Sequence, residues 1–184
     1  IKMSNKANFQ QKNIVSKVME NKMQTIQTIQ EMQNIISQLK QENKTIGFVP
    51  TMGFLHHGHL SLIKKAREEN DITILSIYVN PTQFNNPEDL EKYPRNFKQD
   101  QEQAEKEKVD YIFYPNNKEM YPNGQKPIGY TNKFMKGLCA STRPGHFEGV
   151  VTIVSKLFNI IQPTKTYFGQ KDYQQSLVIK QMIK

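Results

Sequence analysis

Apolar and polar positions along this chain switch repeatedly between two periods. Ile29, Met32, Ile35, Ile36 and Leu39 recur every three to four residues and predict an amphipathic helix over 29–42, ended by Asn43-Lys44. Thr45-Ile46-Gly47-Phe48-Val49 is a short apolar run that predicts a strand stopped by Pro50. A helical stretch over 59–70 follows. Residues 72–79 are almost wholly apolar or β-branched, as in a strand covered on both faces. Residues 80–96 read as a Pro- and Asn-rich loop, and loops of that length in compact domains are usually functional. Residues 97–108 predict a charged surface helix and 110–114 the next strand. Residues 115–145 read as irregular, with a hairpin near 127–132. Phe147, Val150, Val151, Val154, Leu157, Phe158 and Ile161 then mark a strong helical stripe. Residues 164–168 predict a strand, and a last helix starts near Tyr173. Residues 23–28 fit either a first strand or a lead-in.

Strands separated by helices imply an α/β fold: a Rossmann-like parallel sheet of right-handed βαβ units, flanked by helices. In such sheets ligands bind beyond the carboxyl ends of the strands. Residues 50–59, 80–96 and 169–172 each follow a strand, so all three are expected on one rim.

At 184 residues the chain is expected to hold one domain. Its net charge is +8, but the first 22 residues hold five lysines against one acid, Glu20, and so carry half of that excess. The rest is mildly basic, which fits a site for small anions and argues against a nucleic-acid partner. Residues 1–22 read as an extension, poorly ordered or helical near 13–20, and 23–184 as the domain. One cysteine, Cys139, excludes an intrachain disulfide and fits a reducing, cytoplasmic setting. No apolar run is long enough to span a bilayer, and the first residues lack the apolar core of a secretory signal. The chain stops inside its last helical pattern without cap or breaker, so it is expected to be cut there.

The densest chemistry is Pro50-Thr51-Met52-Gly53-Phe54-Leu55-His56-His57-Gly58-His59. Histidines three apart stand where a strand turns into a helix. Unpaired N–H groups and the positive end of the helix dipole favour phosphate there. Gly58 permits close approach, and the imidazoles of His56 and His59 add donors. His57 is expected to face solvent. This is the pattern of a nucleotide-triphosphate site that transfers adenylate by stabilising charge at the α-phosphorus. Lys171 is either a mobile charge for a triphosphate or a solvated turn lysine. Gly169 allows a base or ribose near the backbone, and Asp172 either caps the last helix or takes a ribose hydroxyl. Gln83 can donate to a substrate carboxylate. Asp100 is either a Mg²⁺ ligand or a dipole partner. Arg143 suits an anion, and His146 caps or binds. The histidines and the cysteine lack zinc-ligand spacing apart from the glycine-flanked pair, and no Walker loop or dinucleotide fingerprint is present.

Five segments together resemble the pantothenate synthetase (pantoate–β-alanine ligase) family over residues 23–184. They are Pro50 to His59; Val79-Asn80-Pro81-Thr82-Gln83-Phe84; Tyr93-Pro94-Arg95; Arg143-Pro144-Gly145-His146-Phe147-Glu148-Gly149-Val150; and Tyr167-Phe168-Gly169-Gln170-Lys171-Asp172-Tyr173-Gln174-Gln175. The histidine pair alone also occurs in other His-x-Gly-His nucleotidyltransferases and in class I aminoacyl-tRNA synthetases.

The resemblance implies a two-step ligase: pantoate attacks the α-phosphate of Mg-ATP, and β-alanine then displaces AMP. It implies that Met52, Gly53, Phe54, Leu55, His56, His57, Gly58, His59, Gly169, Gln170, Lys171 and Asp172 hold ATP. His59 takes the catalytic role, with His56 and Lys171 on the phosphates. Gln83 and Gln175 hold pantoate, with Gln83 also near β-alanine, and Asp100 and Gln103 approach Mg²⁺. A homodimer is implied as well. His57 stands where an acid is common, and Gln170 where Glu or Lys is frequent. The family's second domain, which closes over ATP, is expected to be absent, so this 184-residue chain is expected to bind ATP or pantoate weakly and turn over poorly. The competing readings are another nucleotidyltransferase, which would not need Gln83, Gln175 and the 143–146 segment together, and a non-catalytic dimerising or nucleic-acid-binding module.

Overall fold

The computed structural model describes residues 22–126, 129, 135 and 145–183. Its sheet has five parallel strands in the order β1-β4-β3-β2-β5. These are β1 (Gln24–Ile26), β2 (Ile46–Thr51), β3 (Ile72–Ile77), β4 (Tyr111–Phe113) and β5 (Lys165–Thr166). The long helices are α1 (Ile29–Gln41), α2 (His57–Glu69), α4 (Phe97–Lys106), α6 (His146–Ile161) and α7 (Tyr173–Met182); α3 (Pro87–Lys92) and α5 (Asn117–Met120) are short.

The period-2 pattern of the strands divides the core into two faces. Ile46, Phe48, Ile74 and Phe113 pack with Met32 and Ile36 of α1 and Val150, Val154 and Leu157 of α6. Val49, Leu75, Ile77 and Ile112 pack with Ile63 and Ala66 of α2 and Ala104 of α4. Every residue of β3 is buried, as its unbroken apolar run implies. Among the described residues no helix is long and apolar enough to cross a membrane.

Four expectations need correction. Pro50 does not stop β2, which pairs with β3 through Pro50↔Ser76 and Thr51↔Ile77. The odd-numbered residues of β2 bond to β3, as in Ile72 N–H to Thr45 C=O and Tyr78 N–H to Thr51 C=O. The even-numbered ones face β5, as in Thr164 N–H to Ile46 C=O and Tyr167 N–H to Phe48 C=O. The N–H that Pro50 lacks therefore belongs to the β5 side, and β5 ends there after two residues, short of the expected 164–168. The 80–96 segment is not one loop: it holds a 3-10 turn at Pro81–Gln83 and helix α3. Asn86 caps α3 with Pro87 at its first position and Glu88 and Asp89 in its first turn, a start signal present in the sequence. Within 115–145, Asn116 caps the short α5. The hairpin near 127–132, the extension 1–21, Cys139 and Arg143 lie outside the described residues.

Thr73 of β3 is fully buried, and its hydroxyl has no partner among the described residues. Valine has nearly the same shape and suits a strand. Thr73→Val is therefore expected to raise stability by about 1 kcal/mol, read as a higher urea midpoint at constant m-value. A lower midpoint would mean that the hydroxyl is satisfied after all.

Candidate active site

The chain runs from β2 through β3 to β4 in one direction, then crosses to the other side of β2 to form β5. The order reverses between β2 and β5, and such switch points open a crevice beyond the strand ends. Residues 52–56 leave β2 at this crevice and lead into α2. The 3-10 turn Gln170–Asp172 leaves β5 at the same crevice and leads into α7.

His56 is the N-cap of α2 and His59 its third residue. His56 Nδ1 accepts the Gly58 N–H at 3.1 Å, and His59 Nδ1 accepts the His56 N–H at a longer 3.4 Å. The imidazoles thus stand in for the hydroxyl and carboxylate of an ordinary capping box. Their ring centroids are 4.0 Å apart. A nitrogen that accepts an N–H carries no proton, so each neutral ring holds its proton on Nε2, as a donor. No acid occupies the first turn of α2, whereas Glu31, Asp100 and Glu148 occupy those of α1, α4 and α6. The first turn of α7 also lacks an acid, so it is the histidine cap that sets the start of α2 apart. His57 is exposed, as expected.

Gly58 has a second role that the sequence did not show. A Cβ there would stand 2.9 Å from His56 Cε1 and 3.1 Å from Nδ1. Gly58→Ala is expected to push the His56 ring off its cap. At this exposed site the thermal midpoint should move little, while affinity for a triphosphate falls about ten-fold, the loss of one hydrogen bond to a charged group. Calorimetric titration of the variant with ATP checks it; unchanged affinity would separate the ring from the ligand.

On the β5 side, Lys171 is exposed. Among the described residues a Cβ at Gly169 would meet nothing within 4 Å, so their packing does not demand that glycine. The side chain of Asp172 lies outside the described residues. Gln175 is half-buried in the first turn of α7, which packs on α6.

Gln83 ends the 3-10 turn after β3, and its amide is held at both ends. Oε1 accepts from Asn80 Nδ2 at 3.1 Å, and Nε2 lies 3.2 Å from Met52 Sδ. Asn80, 1% exposed, fills all its capacity: Nδ2 also donates to Gly149 C=O at 3.1 Å, and Oδ1 accepts the hydroxyls of Tyr121 (2.8 Å) and Thr82 (3.1 Å). Burial raises the Tyr121 phenol, so it stays a donor at neutral pH. His146 Nδ1 donates to the Gln83 carbonyl at 2.8 Å, so it braces this turn from α6. Arg95 is spent on the carbonyls of Leu90, Glu91 and Tyr93 at the end of α3.

Asp100 is 2% exposed, and its two oxygens accept the backbone N–H groups of Phe54 (2.9 Å) and Leu55 (2.7 Å). Gln103 stands one turn further on, half-buried. Among the described residues no three His, Cys, Asp or Glu side chains come together as a metal site. A cleft of about 360 Å³ lies beyond β3 and β4, with Met52, Asp100, Tyr78 and Tyr114 in its walls. It adjoins the histidine loop without including either imidazole.

A parallel sheet with a histidine-capped helix at its switch point defines a Rossmann-like domain with a His-x-Gly-His loop. The chain belongs to the pantoate-beta-alanine ligase family, whose model matches residues 24–184. It is 57% identical over 162 residues to the pantothenate synthetase of Caldicellulosiruptor saccharolyticus, covering 88% of this chain and 58% of that protein. It is 52% identical to that of Thermotoga petrophila at the same coverage. Among solved structures it resembles the pantoate-beta-alanine ligase of Francisella tularensis, complexed with beta-gamma ATP and beta-alanine. The TM-score is 0.84 at 46% identity, over 88% of this chain and 62% of that one. The Thermus thermophilus enzyme aligns with a TM-score of 0.81 at 41% identity, over 88% and 57%. The chain spans about 58% of the length of the curated relatives it matches.

Proposed function

We propose that residues 23–184 carry the adenylate-forming site of a pantoate–β-alanine ligase. One observation carries this reading: a paired, Nδ1-accepting His56 and His59 at the acid-free start of α2, at the sheet's switch point. The α2 N–H groups, with the His56 and His59 rings beside them, stabilise the charge that builds up when the pantoate carboxylate attacks the α-phosphorus of ATP and pyrophosphate leaves. Met52 to His59 and Gly169 to Asp172 line the nucleotide from the two sides of the crevice, and Lys171 reaches the phosphates as a mobile charge. Gln83 Nε2, its amide oriented by Asn80, donates to the pantoate carboxylate, with Gln175 across α6. The amine of β-alanine then attacks the mixed anhydride, AMP leaves, and an amide is formed.

Mg²⁺ enters as part of the nucleotide substrate. Among the described residues no cluster of side chains builds a resident metal cage, so phosphate oxygens and water would be the ion's main ligands, with Asp100 and Gln103 nearby. Self-association as a homodimer and a cytoplasmic setting belong to the same reading.

Thermal stability of the chain with Mg-ATP, with pantoate, with both, and with Mg-GTP tests it, because a ligand that binds only the native state raises the midpoint. The expected result is a rise with ATP plus pantoate that exceeds either alone and is absent with GTP. No rise, together with no pantothenate formed by the same sequence joined to a relative's remaining domain, would overturn it.

A further inference from the structure

The loop that carries the chain from β2 to His56 adopts an uphill conformation. Gly53 lies at φ +84° and Phe54 at φ +52°, two left-handed residues in succession. Glycine takes this region freely and phenylalanine does not. The Phe54 side chain is 51% exposed, so packing does not hold it. Asp100 of α4 holds the loop through its two bonds to the Phe54 and Leu55 N–H groups, alongside Thr51 Oγ1, which accepts the Gly53 N–H at 3.2 Å, and the buried Leu55 side chain. Successive N–H groups in such a turn form a concavity for an anion. Here a carboxylate of the chain itself fills it. No cation pairs with Asp100 among the described residues, so these N–H groups and the first turn of α4 are what offset its charge. The fit is close, because a Cβ on Gly53 would stand 2.8 Å from Asp100 Oδ2. The next residue after Leu55 is His56, the cap of α2.

We propose that Asp100 is a positioning residue: its carboxylate holds the left-handed Gly53–Leu55 turn and thereby sets His56 and His59 at the mouth of α2. The ligand-binding part of this inference rests on the adenylate-forming reading; the loop-holding part stands without it. With the turn's own concavity filled from inside, an incoming phosphate is left the N–H groups of α2.

Asp100→Asn keeps the shape but sets an amide NH₂ against a backbone N–H. In the ligand-free chain, amide hydrogen exchange at Phe54 and Leu55 should accelerate about ten-fold, while β2 and β3 keep their rates. ATP affinity should fall about ten-fold equally with Mg²⁺ and with EDTA. Adding Phe54→Gly removes the side-chain penalty at positive φ, so Phe54→Gly/Asp100→Asn should regain roughly five-fold of that affinity. Unchanged exchange at Phe54 and Leu55 overturns the proposal. A loss of affinity confined to the Mg²⁺ titration also overturns it, assigning Asp100 to the metal. If Asp100→Asn alone does not fold, Phe54→Gly should restore folding, and failure to do so counts against the proposal. If the unaltered chain binds no ATP, the affinity arms are read on the same sequence joined to a relative's remaining domain, and the exchange rates in the chain itself still decide the role of Asp100.

Discussion

Gly149→Ala should lower stability by about 2–4 kcal/mol and abolish any pantoate-dependent rise in thermal midpoint. A Cβ at this position of α6 would lie 2.3 Å from the Thr82 carbonyl oxygen, 2.5 Å from its carbon and 2.7 Å from Gln83 Cα. All three are backbone atoms, with no flexible side chain to swing away. Carbon atoms rest about 3.5–4.0 Å apart, so helix and turn must separate by roughly 1 Å. That separation strains the Asn80–Gly149 and His146–Gln83 bonds together. Helix propensity pushes the other way: alanine in a helix interior is favoured over glycine by about 1 kcal/mol. The sign of the measured change therefore decides between close packing and propensity. A more stable variant would show that α6 and the turn are not in contact in solution.

Asn80→Asp should be worse than its size suggests, costing about 3–5 kcal/mol at neutral pH. The new side chain fits the space but loses both donors, and it faces the Gly149 carbonyl and Gln83 Oε1 with negative charge. Gln83 is then expected to turn its amide, offering oxygen where it had offered N–H. Burial raises the folded-state pKa of the new carboxylate above its unfolded value. The folded state then binds the proton more readily, so the deficit shrinks as pH falls and grows as pH rises. Chemical denaturation at pH 5 and pH 8 checks this, and a deficit independent of pH would show that the site admits water. Asn80→Ala, which leaves the Tyr121 and Thr82 hydroxyls without their acceptor, should cost about 2–3 kcal/mol with no such pH dependence.

The hydrophobic pattern made β2, β3, β4 and the five long helices legible, because each buries residues at the right period, whereas β5 buries neither of its two residues and was expected too long. It misjudged the places where polar chemistry sets structure. Pro50 reads as a stop, yet its missing N–H faces the side where β5 has ended. Asn86-Pro87-Glu88-Asp89 starts a helix too short to show periodicity, so the whole 80–96 stretch looked like loop. The histidine pair stood out because two titratable rings flank a glycine at a strand-to-helix turn. Asn80 and Gly149 were visible only as letters within longer motifs. Their roles depend on contacts between residues some seventy positions apart, which no local pattern encodes. A lone glycine within the apolar stripe of 147–161 was the one available hint, since such glycines usually mark close approach. Asp100 reads in the sequence as a Mg²⁺ ligand or a dipole partner, and only its two backbone partners show that it meets the Gly53–Leu55 turn.

The pairing of the sheet also has a consequence for the order of assembly. β2 and β3 are neighbours in the chain, so their ladder closes a short loop and needs no distant segment. β1 must wait for β4, and β5 must come back to β2 across most of the domain. On the proposed reading, the phosphate cradle is therefore made from an early piece and a late one. On a ribosome the histidine half would exist before the lysine half had been synthesised. An ATP molecule could then begin to reward folding only after the last strand had docked.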